Sequence, residues 1–178
     1  MLSITIPTTR LYNEVDNEFI TVKGQTLQLE HSLVSLSKWE SKWHKPFLDD
    51  EQKLTDEETI DYVRCMTITQ NVNPLIYECL NDDHIAEIQR YIDAPMTATW
   101  FGKTEDKGSV NGEKVTNEII YYWMSTFGIP MDCQKWHLNR LITLIRVFIA
   151  KSQKPKPMTL QDRAALNAAR KKQYNTKG

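Results

Sequence analysis

At Leu29 the apolar residues of this chain stop recurring at every second position and begin to recur at every third or fourth. That change of period constrains the fold more than any other feature. Alternation puts one face of a strand into a core, whereas helical spacing puts a stripe there. Before it, Leu2 to Ile6 alternates weakly, Glu18-Phe-Ile-Thr-Val22 is rich in β-formers, and Thr26-Leu-Gln-Leu29 alternates again. Lys23-Gly-Gln25 reads as a turn, so a small β-hairpin or three-stranded element is expected at the start. Beyond the change, Leu29, Ser32, Leu36, Trp39 and Trp43 keep helical spacing, and Pro46 is expected to end that helix.

Later helices are marked by their caps. Thr55-Asp-Glu-Glu58 is a capping box, in which hydroxyl and carboxylate each reach the other residue's amide. Ile85, Ile88 and Ile92 mark another helix, capped by Asn81 or Asp82, with Pro95 beyond its end. Residues 102–114 hold three glycines and one apolar side chain, the composition of an exposed loop. Thr116 is expected to cap a helix carrying Ile119, Ile120, Trp123, Met124 and Phe127, closed by Gly128 with Pro130 after it. Asp132 is expected to cap the last one, with Trp136, Leu141, Leu144, Ile145 and Phe148 as its stripe. The last two should form an antiparallel helical hairpin at the centre of the core. The expected fold is α+β, mainly α: an N-terminal β-hairpin packed on a four- to five-helix bundle over residues 1–150.

Charge separates the remainder. Residues 151–178 carry eight basic side chains against the single acid Asp162, a charge of +7. The chain's net charge of −1 then leaves −8 on residues 1–150. Lys-Pro-Lys-Pro157 cannot continue a helix, and the short helix expected after it has only Leu160, Leu166 and Tyr174 as bulky apolar groups. This basic C-terminal arm is a solvated terminus, a docking arm for an acidic protein surface, or a nucleic-acid arm. The acidic body would repel a duplex, so nucleic acid is not the expected partner. No apolar run approaches the roughly 18–20 residues of a membrane helix, and no secretory leader is legible. Cys65, Cys79 and Cys133 are odd in number and form no CxxC pair, which suits a reducing cytoplasm.

The search for chemistry yields little. No phosphate loop, dinucleotide fingerprint, nucleophile elbow or HExxH occurs. Cys133 and His137 stand four apart on an expected helix, but nothing supplies the other two ligands a metal would need. No enzyme activity, metal or cofactor is therefore expected. Five tryptophans are most simply packing residues. Trp39 and Trp43 are the exception, because so short a helix can hardly bury both, and Trp is enriched at binding hot spots. The expected partner-binding residues are Trp39, Trp43, Lys154, Lys156, Arg163, Leu166, Arg170, Lys171 and Lys172.

Several stretches together carry a resemblance: LEHSLVSLSKWESKWHKPF (29–47), DYVRCMTITQNV (61–72), APMTATWF (94–101), EIIYYWMSTFGIPMDCQKWHLNRLITLIRV (118–147) and the ending ALNAARKKQYNTKG. They resemble a family of small proteins from the tail gene clusters of long-tailed bacteriophages, the tail assembly chaperones. The resemblance implies non-enzymatic work in the cytoplasm of an infected bacterium. Such a chaperone coats the tape-measure protein, or binds other tail proteins, and homo-oligomers are an option. The β-rich start departs from the essentially all-helical members. That departure keeps open a virion component, such as a connector or minor tail protein; a small regulator binding a host protein is a third reading.

Overall fold

A computed structural model describes residues 1–13, 16–49, 51, 53–101, 109–110, 113–152, 167 and 170. The fold is α+β and mainly α. Strands β1 (Leu2–Ile6), β2 (Thr9–Asn13), β3 (Glu18–Val22) and β4 (Gln25–Leu29) are followed by helices α1 (Leu33–Trp43), α2 (Asp56–Met66) and α3 (Asp82–Asp93). The two-residue strands β5 (Ser109–Val110) and β6 (Glu113–Lys114) precede α4 (Asn117–Thr126) and α5 (Leu138–Ser152). The chain divides into two compact units, Met1–Val147 and Phe148–Gly178.

The four long strands form two two-stranded antiparallel sheets that continue one register, a ribbon interrupted at residues 7–8 and 23–24. β1 pairs with β4 from Leu2↔Leu29 to Ile6↔Gln25, and β2 pairs with β3 from Thr9↔Val22 to Asn13↔Glu18. Reversal occurs around Asn17, whose φ is 53°, and not at Lys23-Gly-Gln25 as the sequence suggests. Residues 23–25 instead lie at a kink opposite Pro7 and Thr8. In the first half the even positions Ile4 and Ile6 are buried; beyond the kink the buried pair partner is Val22, opposite odd-numbered Thr9. The kink therefore changes which face of the ribbon meets the core. It needs glycine through close approach: a Cβ on Gly24 would lie 2.7 Å from Ile6 O, 2.8 Å from Thr8 N and 2.9 Å from Pro7 C. Gly24→Ala is expected to destabilise by about 2 kcal/mol, the usual scale of overpacking against groups that cannot step aside, as read by urea unfolding.

The β1–β4 half of the ribbon is anchored. Ile68 N donates to Gln28 O at 2.8 Å and Glu30 N to Met66 O at 2.9 Å, so the chain leaving α2 covers the outer edge of β4. That pairing takes Leu29 and Glu30 out of the expected first helix, which begins only after Ser32 accepts from Ser35 N. Its end comes at His44, in the left-handed region at φ 53°, two residues before Pro46.

Two of the expected caps form as read. Thr55 Oγ1 accepts from Glu58 N, and Thr55 N donates to Glu58 Oε2. After α4, Gly128 N donates to Ser125 O and Ile129 N to Met124 O, the paired bonds of a Schellman motif, with Gly128 at φ 63°. Met124 and Ile129 are both buried beneath it. Two other expectations are corrected. Asp132 caps no α-helix: it lies in a 3-10 turn, Met131–Lys135, and α5 starts at Leu138. The helices of residues 116–150 are not the centre of the fold. That place belongs to α1, which packs against α2, α4 and the 3-10 turn. Of the expected exposed loop, residues 102–108 and 111–112 lie outside the described residues, and 109–110 and 113–114 pair as β5 and β6.

Candidate protein-binding surface

The tryptophan pair separates. Trp39 is 0% exposed and donates its indole N–H to Glu58 O at 3.0 Å. Phe47 meets it edge-on at 5.2 Å. It is a core residue, and the expectation that it binds a partner is corrected. The reason is tertiary: neighbours cover α1 from several sides, so its broad apolar face has few directions left to solvent. Trp43 is half-buried, and Asp61 accepts both its indole N–H at 2.9 Å and the Lys42 ammonium at 2.6 Å. Of the arm residues, Arg170 is helical and exposed. Lys154, Lys156, Arg163, Leu166, Lys171 and Lys172 lie outside the described residues.

Polar groups do come together inside the fold. His31, at the head of α1, is hydrogen-bonded through Nδ1 to the Tyr62 hydroxyl at 2.6 Å. Its ring meets that of His137 edge-on at 5.1 Å. Tyr91 donates its hydroxyl to Glu30 at 2.7 Å, and the amino terminus pairs with the other Glu30 oxygen at 3.0 Å. Burial pushes the Tyr62 and Tyr91 hydroxyls above the usual phenol range and the His31 imidazole down to about 3. Such shifts mark active sites and structural networks alike. Here the groups satisfy one another: among the described residues no buried side-chain nitrogen or oxygen lacks a partner. Cys133 and His137 do not share a helix, since the cysteine sits in the 3-10 turn and His137 precedes α5. Both His137 nitrogens are engaged, Nε2 with Tyr91 O and Nδ1 with Asn139 N. Among the described residues no group of three or more His, Cys, Asp or Glu could hold a metal.

Among the large apolar side chains that the fold leaves exposed, three cluster on the far half of the ribbon, β2 and β3, while Trp100 and Tyr122 are exposed elsewhere. Phe19 is 70% exposed, Tyr12 51% and Ile20 39%. Cross-strand pairing sets Tyr12 against Phe19, with ring centroids 5.2 Å apart, and Arg10 against Thr21 on the same face. Leu11 and Ile20 pair on the opposite face. β2 and β3 form a two-stranded sheet, so among the described residues each has one side without a strand partner. At the base of this half lies a polar depression of about 430 Å³, lined by Thr21, Lys23, Gly24, Gln25, Asn71 and Asn73. A ribbon of this kind can accept an extended segment along an edge or an apolar surface on a face.

The sequence reading did not single out this surface, although a signal is present. Phe19 and Ile20 are adjacent, so they point to opposite sides of a strand. One core cannot take both, and one must face solvent or a partner. No family model, no curated protein and no solved structure matches this chain. No helix among the described residues is long and apolar enough to cross a membrane.

Proposed function

We propose that this chain is a non-enzymatic assembly protein of a long-tailed bacteriophage, a chaperone that binds the tape-measure protein or another tail protein during morphogenesis. The observation that carries a binding role is the β2–β3 ribbon, which exposes Tyr12, Phe19 and Ile20 and, among the described residues, has no third strand beside it. Exposing large apolar groups beside open strand edges invites aggregation, and folds retain such a combination where a partner covers it. The phage assignment rests on the sequence resemblance. The basic arm, with Arg170 exposed, adds a charge that suits an acidic partner.

Co-expression with the tape-measure protein of the same phage tests this. The native chain should keep that protein soluble and co-purify with it. Phe19→Thr with Ile20→Thr keeps strand propensity while removing the apolar surface. It should lower the co-purified amount at least about tenfold and leave stability within about 1 kcal/mol, as expected of exposed positions. Full binding by the double variant would remove the ribbon from the argument. No binding by the native chain would overturn the chaperone reading.

A second reading is favoured by the same strand edges, which could take a strand from a neighbouring subunit in the particle. A virion component would be found at fixed stoichiometry in mature phage, whereas a chaperone would be left behind.

A further inference from the structure

Residues 31 and 137 meet where the start of α5 joins the head of α1. Two contacts make the joint: an isolated antiparallel bridge between Ser32 and His137, in which Leu138 N donates to His31 O at 2.7 Å, and the edge-on meeting of the two imidazoles. Asn139 extends it, donating Nδ2 to Ile92 O and Ala94 O. We propose that the His31–His137 pair is an acid-operated latch, which holds residues 137–139 against the α1 head while both rings are neutral and releases them when the rings take up protons.

Geometry fixes the protonation state that closes the latch. Asn139 N–H donates to Nδ1 of His137 at 3.3 Å, so Nδ1 carries no proton and Nε2 must be the donor to Tyr91 O at 3.0 Å. A second proton has only Nδ1 to go to. There it would set N–H against N–H and break the Asn139 contact. His31 offers no better place, because its ring lies between His137, Tyr62 and Phe47 at 2% exposure. The charged and titratable groups around the pair are few. Tyr62 comes from α2, Tyr91 from α3, Glu30 from the end of β4, and the Met1 ammonium pairs with Glu30. Glu40 acts on Tyr62 from α1. Glu30 is the acid that favours a charged His137, and its two oxygens are already held by the ammonium and the Tyr91 hydroxyl. Two adjacent imidazolium rings would also repel each other.

The direction follows. His31 is pushed down from 6.5 to about 3 by burial first and then by the neighbouring His137 charge. His137 is lowered by burial, partly offset by Tyr91 O and Glu30. A histidine held below its free value stays neutral in the closed form and protonates in the open form. The closed form is therefore fully favoured above about pH 6.5 and weakens as pH falls toward 3. For His31 alone, moving from pH 8 to pH 5 raises the opening equilibrium by about 30-fold.

Amide hydrogen exchange on the full chain reads this directly at Leu138 and Asn139. Between pH 8 and pH 5, after correction for intrinsic rates, their protection should fall by about 30-fold or more. Amides inside α2 should keep theirs. His31→Asn retains an acceptor for Tyr62 and should flatten most of the pH profile, while His137→Gln, which retains a donor for Tyr91 O but cannot protonate, should make it shallower by removing the neighbouring charge. If a variant does not fold, the ring C–H resonances of the native protein decide alone. Titration of either histidine near 6.5 with protection intact would overturn the latch. So would an equal loss of protection in α2, or a variant profile matching that of the native chain.

Discussion

Glu40→Ala is expected to destabilise the fold by about 4 kcal/mol, because one buried carboxylate holds three donors that have no substitute acceptor. Glu40 Oε1 accepts from Phe47 N at 2.8 Å, and Oε2 accepts from Asn117 N at 2.8 Å and Asn117 Nδ2 at 2.7 Å. The Asn117 amide is the first of α4, and Thr116 at the cap position makes no side-chain cap bond. Glu40 thus caps α4 from another helix and places a negative charge at the positive end of its dipole. Burying a carboxylate is costly, but three charge-assisted bonds of about 1.5–3 kcal/mol each outweigh that cost. Glu40→Gln should lose about half as much, since its amide nitrogen turns a donor toward a donor. Urea unfolding followed by tryptophan fluorescence gives both numbers. A Glu40→Ala midpoint equal to that of the native chain would mean that the α4 end finds another acceptor.

Trp39→Ala should cost about 3–5 kcal/mol, the range for deleting a large aromatic ring from a core. The ring is fully buried among Phe47, Tyr62 and Trp43, and its N–H satisfies Glu58 O. Trp39→Phe should lose about 1–2 kcal/mol, from the smaller ring and the lost indole N–H bond to Glu58 O. Trp43→Ala should fall below Trp39→Ala, because its ring is only partly buried and packs at the margin of the core. The contrast separates packing from recognition. A Trp39→Ala protein that kept its stability and lost only partner binding would return Trp39 to the surface.

Local chemistry was legible wherever a few consecutive residues decide the outcome. Thr55 and Glu58 lie within one turn, and Gly128 is the one residue type that enters the left-handed region there without strain. The helix bearing Trp39 and Trp43 was legible from its period, but the fates of the two rings were not, because burial depends on what packs around α1. Thr116 shows the same limit: a capping residue occupies the right position, yet the acceptor that bonds the Asn117 amide stands 77 residues before it in sequence. The candidate surface was half legible. The strand Glu18–Val22 could be read from its composition, but a turn at Lys23-Gly-Gln25 was the wrong inference, since glycine there serves a close approach rather than a reversal.

The sequence alone determined the order of strands then helices, the α+β class, most cap positions and the division of charge between residues 1–150 and 151–178. These depend on period, on short-range hydrogen bonds and on composition. Tertiary structure decided which tryptophan became core, that Glu40 would cap the start of α4, that His31 and His137 would touch, and that Tyr12, Phe19 and Ile20 would stay exposed. Each of those is a contact, or a missing contact, between segments far apart in the chain. No local pattern encodes which surface will arrive to cover a given side chain.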